Sequence, residues 1–310
     1  MKLRDAGEGA VIRKIRERFK GTAADLPVGI GDDAAVIDIP QTDSLILCSD
    51  LLAENTHFVR ALHPADSVAY KAVAANVSDV AAMGGTPTHF LISLAMPGDL
   101  DWSWFEGFLQ GVENACRDFA ISLAGGDSSA SDLIFVDVSM AGRIGRGKAV
   151  RRSGAQAGDI IYVTGKLGSS ALGLDRLKNG VLSDAAVTRH LYPEPRVKVG
   201  AALVDRAHAM IDVSDGLSTD LTHILEESKV SARIYKDHLP VWPGAQDLHV
   251  LHGGEEYELI VIGSDLPSVI EGIPLTGIGE IIETSTDHQI FLIEGNRQSV
   301  LYPRGWQHFS

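Results

Sequence analysis

The sequence predicts two domains that mix α-helices and β-strands (α+β, mixed α/β), and three observations lead to this fold class. The chain has 310 residues, more than most single domains contain. Apolar residues make up 45% of it, as is usual for a chain that folds around a core. Helix-like and strand-like segments follow one another in both halves without the strict alternation of a barrel, so two separate domains are favoured.

The first half opens with a helix predicted at Glu8–Phe19, where apolar residues recur at helical spacing. A longer helix is predicted to begin after Pro64 and to end near Met83, because proline favours a first helical turn and glycine favours a helix end. The other elements predicted in this half are strands at Ala34–Ile39, Leu45–Cys48, His89–Ala95, Ile121–Ala124 and Leu133–Ala141 and a helix at Trp102–Phe119.

The second half follows a glycine-rich, basic segment from Gly142 to Gly158, and the domain boundary is placed within that segment. Residues 1–146 are predicted to form one domain and residues 147–310 the other. The helices predicted in the second domain are Ser169–Lys178, Pro195–Asp205 and Leu217–Glu227. Its predicted strands are Ile160–Thr164, Met210–Val213, Ala232–Tyr235, Tyr257–Ile262, Leu275–Ile282 and Gln289–Ile293.

The composition argues against several classes of partner. With 27 basic and 41 acidic residues the net charge is −14, which disfavours nucleic acid and anionic membrane surfaces because both attract basic faces. Cys48 and Cys116 lie far apart and form no CxxC motif, so they are predicted to be buried thiols in a reducing compartment. The chain starts with charged residues, and no apolar run reaches the roughly 20 residues of a membrane helix. A cytoplasmic protein without membrane association is therefore expected.

Two segments come close to known nucleotide-binding motifs but do not complete them. Gly29–Ala34 has the glycine spacing of a dinucleotide fingerprint, but the residues after it read as a strand where that motif requires a helix. Gly142–Ala149 matches a P-loop up to Ala149, which lacks the hydroxyl group that would hold magnesium. If ATP binds, another arrangement must hold it.

Aspartate recurs beside glycine, serine or the end of a predicted strand. Magnesium prefers oxygen ligands, and a metal-dependent phosphoryl transferase needs several carboxylates that converge from separate segments. These aspartates therefore predict a magnesium site for phosphate chemistry. They are Asp32, Asp33, Asp50, Asp79, Asp127, Asp212 and Asp215.

The surroundings of these aspartates leave two interpretations open for most of them. Asp50 and Asp127 each follow a predicted strand, and Asp127 also follows two glycines, where the backbone could approach a phosphate closely. Asp215 precedes a predicted helix, where free N–H groups suit an anion. Taken singly, such residues are also common as N-caps and turn residues. Asp79 is harder to explain in that way, because a carboxylate on an apolar helix is costly unless it is paired or binds a metal.

Six motifs together resemble the thiamine-monophosphate kinase family, which belongs to the wider aminoimidazole ribonucleotide synthetase-like superfamily. The motifs are GIGDDAAV, NVSDVAAMGG, AGGDSS, RRSGAQAGD, IDVSDGL and HGGEEYEL. The resemblance extends from about Gly29 to the tail Gly305–Phe309, almost the whole chain. It implies an N-terminal domain that binds ATP and metal and pairs with a second copy in a homodimer. It also implies a C-terminal α/β domain that completes the active-site cleft.

The resemblance also implies which residues form the site. The metal ligands would be Asp33, Ser49, Asp50, Asp79, Asp127, Asp212 and Asp215. The ATP contacts would be Gly126, Asp127, Arg152 and Ser214, and the substrate would meet His57, Glu255 and Trp306. The family usually has aspartate where this chain has Glu256, which leaves the role of Glu256 open.

The implied reaction transfers the γ-phosphoryl group of ATP in line to thiamine monophosphate, with several Mg²⁺ ions, and gives thiamine diphosphate. The acceptor phosphate is already an oxyanion near pH 7, because its second pKa is about 6. No catalytic acid or base is therefore expected, and Asp127 and Arg152 are predicted to organise charge in the transition state.

The substrate contacts have alternatives of their own. The indole of Trp306 suits the cationic thiazolium and flat pyrimidine of thiamine, although a packing role for this residue remains open. His57 is a candidate for holding the acceptor phosphate, although a structural or exposed histidine is the simpler interpretation. Lys71 lies two helical turns before Asp79 and is expected to be solvated.

Two other functions remain open. One is that of a related enzyme of the superfamily, such as aminoimidazole ribonucleotide synthetase or selenophosphate synthetase. The second usually carries a reactive cysteine or selenocysteine near its N-terminus, and no cysteine precedes Cys48 here. The first lacks the C-terminal tail that contains Trp306. The other function is that of a binding protein for thiamine phosphates without turnover, against which the full set of carboxylates argues.

Overall fold

The chain folds into two compact units. The computed structural model describes residues 2–6, 8–19, 24–26, 35, 37–283 and 288–306. The first unit comprises Met1–Val80 and Thr86–Arg146, and the second comprises Ala81–Gly85 and Gly147–Ser310. Each unit contains both helices and strands, so the predicted mixed α/β class is confirmed. The functions assigned to the two predicted domains stay predictions.

A four-stranded sheet forms the centre of the first unit. Its strands are β1 (Asp43–Ala53), β2 (Thr86–Met96), β3 (Ser122–Ala130) and β4 (Phe135–Gly145). They lie in the order β1-β4-β2-β3, with β2 and β3 parallel and the other neighbours antiparallel. Alternate residues point to opposite faces, so one face is buried and the other exposes four leucines. These leucines are Leu45, Leu47, Leu51 and Leu91.

Two long helices pack in the first unit. Among the described residues, the helices that begin in this unit are α1 (Leu3–Ala6), α2 (Glu8–Arg18), α3 (Ala65–Ala82) and α4 (Trp102–Phe119). The backbones of α3 and α4 approach closely at Gly111, where a Cβ atom would lie 2.0 Å from the carbonyl oxygen of Asp66. The Cys48 thiol on β1 donates a hydrogen bond to the carbonyl oxygen of Asn76, at 3.5 Å. The helix that carries Asn76 and Asp79 is therefore fixed against the buried side of β1.

The second unit is built on an eight-stranded sheet. Its strands are β5 (Ile160–Thr164), β6 (Ala209–Asp212), β7 (Ser231–Tyr235), β8 (Leu259–Gly263), β9 (Val269–Ile270), β10 (Ile273–Ile282), β11 (Ile290–Glu294) and β12 (Arg297–Leu301). Seven of them follow the order β12-β11-β7-β10-β5-β8-β6, and β9 pairs with β10. Strands β11 and β7 are parallel, and the other pairs are antiparallel.

Helices complete the second unit. They are α5 (Ser169–Lys178), α6 (Ala185–Leu191), α7 (Val197–Leu203), α8 (Leu217–Ser228) and α9 (Asp247–His252), and Lys236–His238 forms a short 3-10 helix. The apolar face of α8, with Leu217, Leu221 and Ile224, packs in the same buried cluster as Ile211 and Ile260 of the sheet. This packing fixes the start of α8 directly after the end of β6.

The prediction of elements was best where the apolar spacing was regular. Helices α4 and α5 and strand β5 have the predicted bounds. Helices α6 and α9 and strand β12 were missed because they are only five to seven residues long, too short to show a clear apolar periodicity. Helix α6, for example, depends on a local cap in which the N–H of Ala186 donates to the Asp184 carboxylate at 2.8 Å.

Three predictions near the candidate site were wrong in detail. Strand β3 does not stop at Ala124 but continues to Ala130, because it pairs in parallel with β2 along that whole length. Strand β1 likewise continues past Cys48 to Ala53, paired with β4. Of the strand predicted at Ala34–Ile39, the described residues Ala35 and 37–39 form no strand.

The two cysteines are half-buried rather than buried, and neither forms a disulfide. Burial raises the pKa of the Cys116 thiol to about 11, so this thiol stays protonated at neutral pH. No helix within the described ranges is both long and apolar enough to cross a lipid bilayer.

Candidate active site

The sequence context placed Asp127 after a strand. In the structure Asp127 lies within strand β3. It pairs with Ser93 of β2, which in turn pairs with Asp137 of β4, so these three residues form one row across the sheet. The Ser49 hydroxyl on β1 donates to the Asp137 carboxylate at 3.0 Å on the same face. With Ser139, which lies opposite Ser49, this face of the first unit therefore presents two carboxylates beside three serine hydroxyl groups.

Gly126 owes its identity to strand packing. Its φ is 158°, and a Cβ atom at this position would lie 1.8 Å from the carbonyl oxygen of Ile92 on β2. Glycine is thus required for the close approach of two strands, whatever it contacts in a ligand. This is a structural reason for the Gly-Gly-Asp sequence that the phosphate interpretation did not include.

Asp50 points to the other face of the same sheet. It alternates with Ser49 along β1 and shares its face with Cys48, which contacts α3. Its strand is one edge of the sheet and β3, with Asp127, is the opposite edge. Three strand spacings separate them, or about 14 Å. Within one copy of this unit, Asp50 and Asp127 cannot ligate the same ion.

Helix α3 contributes Asp79, which is half-buried among buried neighbours. One turn earlier, Asn76 is fully buried and its amide nitrogen donates to the carbonyl oxygen of Ala72 at 3.1 Å. Its amide oxygen has no hydrogen-bond partner within the part of the chain described here. A buried oxygen in that state suits a cation or an ordered water. Lys71, on the same helix, was expected to be solvated, but its side chain is buried, with 2% of its surface exposed.

His57 is held by a turn directly after β1. The ring Nδ1 of His57 accepts a hydrogen bond from the backbone N–H of Ala53 at 3.0 Å, and the backbone N–H of His57 donates to the carbonyl oxygen of Ala53 at 2.9 Å. A neutral ring with Nδ1 as acceptor carries its proton on Nε2, which is a suitable donor to a phosphate. Asp32, Asp33 and the rest of the GIGDDA segment lie outside the described residues.

In the second unit, Asp212 ends strand β6 and is buried, and Asp215 follows in the loop before α8. A further carboxylate, Asp220, was not predicted as a site residue. It lies inside the first turns of α8, is 2% exposed, and accepts hydrogen bonds from three consecutive N–H groups. These donors belong to Ser214, Asp215 and Gly216, at 3.0, 3.1 and 2.9 Å.

The electrostatics of this cluster favour a cation. Burial raises the pKa of Asp220 well above its usual range, and the charges of Asp212 and Asp215 raise it further. The N–H groups of Gly216 and Asp215 act in the opposite direction. Oxygen atoms of Asp215 and Asp220 and a ring nitrogen of His223 lie within 4.8 Å of one another. The Asp215 carboxylate of this group suits a hard cation such as magnesium, which would relieve its repulsion with the neighbouring carboxylates.

Ser214, Glu255 and Trp306 are brought together by the same loop. The N–H of Glu255 donates to the carbonyl oxygen of Ser214 at 2.7 Å, and the N–H of Trp306 donates to the carbonyl oxygen of Asp215 at 3.1 Å. Glu255 has a φ of 57°, which is uncommon for a residue with a side chain, and its carboxylate lies 3.6 Å from Nδ1 of His190. The side chain of Trp306 is half-exposed.

Glu256 has a structural role in this chain. Its buried carboxylate accepts hydrogen bonds from the N–H groups of Gly168, Ser169 and Ser170 and from the Ser169 hydroxyl. These groups form the N-terminus of α5, where a negative charge is favourable. Burial raises the pKa of Glu256. The role left open by the sequence is therefore to hold α5 behind the loop that carries Glu255.

Arg152 is exposed and lies in the loop between β4 and β5. Its carbonyl oxygen accepts a hydrogen bond from the Ser228 hydroxyl at the end of α8, at 3.1 Å. This contact fixes the backbone of Arg152 next to the end of α8.

The chain is similar to known proteins over its whole length. Residues 31–144 match the AIR synthase related protein, N-terminal domain, and residues 156–265 match the AIR synthase related protein, C-terminal domain. The thiamine-monophosphate kinase of Escherichia coli K12 is 36% identical over 98% of both chains. That of Haemophilus influenzae is 36% identical over 91% of this chain and 92% of its own length.

Solved structures agree. The thiamine-monophosphate kinase of Stenotrophomonas maltophilia superposes with a TM-score of 0.81 at 34% identity, over 94% of this chain and 97% of that one. A structure of AaThiL complexed with AMPPCP and TMP gives a TM-score of 0.78 at 32% identity, over 100% and 99%. The hydrogenase maturation protein HypE in complex with ATP is 21% identical, covers 98% of each chain with a TM-score of 0.79, and shares the fold. Both domain profiles and these full-length relatives show that the chain belongs to the thiamine-monophosphate kinase family of AIR synthase related proteins.

Proposed function

We propose that this protein is an enzyme that transfers the γ-phosphoryl group of ATP to thiamine monophosphate, giving thiamine diphosphate and ADP. The observation that carries the proposal is the loop Val213–Gly216, which joins the candidate metal ligand Asp215, the candidate ATP contact Ser214 and the candidate substrate residues Glu255 and Trp306. The names of the full-length relatives support the same reaction.

The transfer needs no general base. A phosphate oxygen of thiamine monophosphate attacks the γ-phosphorus in line, the bond from that phosphorus to the β–γ bridging oxygen breaks, and ADP leaves with the electron pair. The acceptor oxygen is already deprotonated near pH 7. Orientation and neutralisation of charge therefore supply most of the catalysis, with Arg152 acting directly and Asp127 through the Mg²⁺ that it would hold.

Magnesium is the proposed metal, with several ions in the site. Bound Mg²⁺ would neutralise the triphosphate and the acceptor phosphate and lower their mutual repulsion. The residues that would hold it are Asp33, Ser49, Asp50, Asp79, Asp127, Asp212 and Asp215. The pKa of Asp220, which burial, Asp212 and Asp215 raise, and the buried amide oxygen of Asn76 support this assignment.

The substrate has a cationic, aromatic end and an anionic end. Trp306 offers an exposed indole face to the thiazolium or the pyrimidine, and the carboxylate of Glu255 offers the opposite charge. His57, with its proton on Nε2, is assigned to the acceptor phosphate.

The active form is proposed to be a homodimer built on the first unit. Its sheet exposes four leucines on one face. Single exposed leucines are common on protein surfaces, but a group on one face is typical of an interaction site. The separation of about 14 Å between the strands of Asp50 and Asp127 fits the same proposal, in which the opposite edge of a second copy supplies the other ligand of a shared ion.

Turnover tests the proposed reaction directly. Purified protein is incubated with ATP, MgCl₂ and thiamine monophosphate, and thiamine diphosphate is measured by chromatography. We expect product from the wild type and from the control Asp118→Asn, whose carboxylate pairs with Arg117 on the surface of α4, and little from Asp127→Asn. ATP binding without product on any phosphorylated acceptor would overturn the proposal in favour of a binding protein.

A further inference from the structure

The peptide groups of the loop Val213–Gly216 make hydrogen bonds on both sides. Their N–H groups contact Asp220, and their C=O groups contact other backbone segments. A trans peptide group is planar, and its N–H and C=O point in opposite directions. The three peptide groups between Val213 and Gly216 each use both ends. Their N–H groups all donate to one oxygen of Asp220.

The carbonyl ends of the same three groups hold the proposed substrate residues. The carbonyl oxygen of Val213 accepts from the N–H groups of Glu256 and Tyr257, at 3.1 and 2.9 Å. The carbonyl oxygen of Ser214 accepts from Glu255 at 2.7 Å. The carbonyl oxygen of Asp215 accepts from Trp306 at 3.1 Å. Each peptide group thus links Asp220 on one side to a segment of the substrate site on the other.

Two glycines allow these segments to approach. A Cβ atom at Gly254 would lie 2.6 Å from the carbonyl oxygen of Ser214. At Gly305 a Cβ atom would lie 2.0 Å from the carbonyl oxygen of Asp215 and 2.5 Å from the Thr219 hydroxyl, which accepts the N–H of Gly305 at 3.1 Å. Because there is no spare space, a rotation of either peptide group would displace Glu255 or the tail that carries Trp306.

An ordinary helix cap does not explain this arrangement. In an N-cap, the side chain that precedes the helix satisfies N–H groups inside it. Here the capping position is Gly216, which has no side chain, and Asp220 reaches backwards from inside the helix to three N–H groups before it. The contacts order the loop more than they stabilise the first turn of α8.

We propose that Asp220 is a positioning residue of this enzyme: through the three peptide groups of Val213–Gly216 it sets the positions of Glu255 and Trp306 together. The kinetic part of this proposal rests on the proposed function, and the structural part does not. Loss of the Asp220 carboxylate should loosen residues 254–257 and 302–306, which are distant from it in sequence. It should also weaken the binding of thiamine monophosphate more than it slows the transfer.

Hydrogen–deuterium exchange tests the structural part on the full chain without substrate. The variants are Asp220→Ala, Asp220→Asn and, as a matched control, Asp159→Asn. Asp159 is also a buried carboxylate of the second unit, and it accepts the N–H of Gln156 at 2.8 Å in a separate turn. Peptides that cover 254–257 and 302–306 should exchange at least about tenfold faster in Asp220→Ala, and less than that in Asp220→Asn, which keeps one carbonyl oxygen as acceptor.

The control should exchange at the wild-type rate in both peptides. Faster exchange confined to 213–217 in the Asp220 variants would overturn the proposal, because it would reduce Asp220 to a local cap. If Asp220→Ala does not fold, Asp220→Asn decides the same question.

A fourth variant distinguishes the two segments that contact the loop, the one with Glu255 and the tail with Trp306. Gly305→Ala should release the tail with Trp306 and leave residues 254–257 protected, whereas Asp220→Asn should loosen both. With ATP saturating, the KM for thiamine monophosphate should rise about tenfold in Asp220→Asn while kcat changes by less than threefold. An unchanged KM with a lower kcat would contradict the positioning role. If the wild type shows no turnover, the proposed function fails while the exchange results still stand.

Discussion

The candidate residues of the two units are held in different ways. In the first unit Ser49, Asp50 and Asp127 project from strands whose backbone groups are satisfied by the ladder of the sheet. In the second unit Ser214 and Asp215 lie in a loop that depends on the side chain of Asp220. Side chains on a ladder can be exchanged without moving the backbone, whereas a loop of this kind moves when its buried carboxylate is changed. Substitutions in the first unit should therefore lower activity without changing the structure, whereas loss of the Asp220 carboxylate in the second unit should disturb both.

The largest expected effect uses the two edges of the first sheet. Asp50→Asn and Asp127→Asn should each lower kcat/KM by about 10²–10³-fold, because each removes a carboxylate that would hold a Mg²⁺ ion, and it is the ion that neutralises the transferring phosphate. Their melting temperatures should stay within about 2 °C of the wild type, since the ladder is unchanged. If each site combines Asp50 of one copy with Asp127 of another, coexpression of the two variants should restore about a quarter of wild-type activity.

The control for this mixture is built into the same residues. Asp127→Asn coexpressed with the double variant Asp50→Asn/Asp127→Asn should recover nothing, because no copy then supplies Asp127. A mixture of the two single variants that stays as inactive as either alone would show that the two edges do not meet in the dimer.

The sequence predicted the elements of this fold better than the environment of the site. Helix α4 and strand β5 were found because regular apolar spacing reports which face is buried. Strand β3 was cut short because glycine, aspartate and serine have low strand propensity, and its pairing with β2 is a long-range contact that no local pattern contains. The roles of Asp220 and Glu256 were also not predicted. Both carboxylates accept hydrogen bonds from backbone N–H groups, and no residue type in the sequence indicates such a contact.

A smaller effect, on stability alone, tests the claim that buried carboxylates organise the second unit. Glu258 is 1% exposed and binds Arg189 at 3.1 Å, Arg196 at 2.7 Å and the Thr164 hydroxyl at 2.6 Å, and its own carbonyl oxygen accepts the N–H of Val213. Glu258→Gln removes the buried carboxylate partner of two nearly buried guanidinium groups and leaves them with the exposed Glu194 as a partner, so the free energy of unfolding should fall by about 3 kcal/mol.

Urea unfolding measures this loss, with Glu280→Gln as the matched variant. Glu280 pairs with Arg233 at 3.1 Å on the surface of the same unit, where both side chains are more than a third exposed. Its replacement should cost less than about 0.5 kcal/mol. Equal losses in the two variants would mean that burial does not distinguish these ion pairs.

The smallest effect concerns the pH dependence of Glu256. Burial is the main cause of its raised pKa, with Glu258 raising it further, while the Ser169 hydroxyl, the Ser170 N–H and Arg189 lower it. A carboxyl group with a raised pKa holds its proton more tightly in the folded protein than in the unfolded chain. Stability therefore falls as the pH rises from the ordinary value of 4.5 through the raised pKa.

Glu256→Gln removes this titration and should make the stability curve flatter above pH 4.5. At pH 4.5 the variant should be less stable by about 1–2 kcal/mol, because an amide nitrogen replaces one of the two oxygens that accept the N–H groups of α5. The gap should narrow towards pH 8. Glu256→Asp keeps the charge and should keep the slope. Urea unfolding at several pH values measures the difference, and parallel curves for Glu256→Gln and wild type would contradict a carboxylate held in a buried, proton-retaining cap.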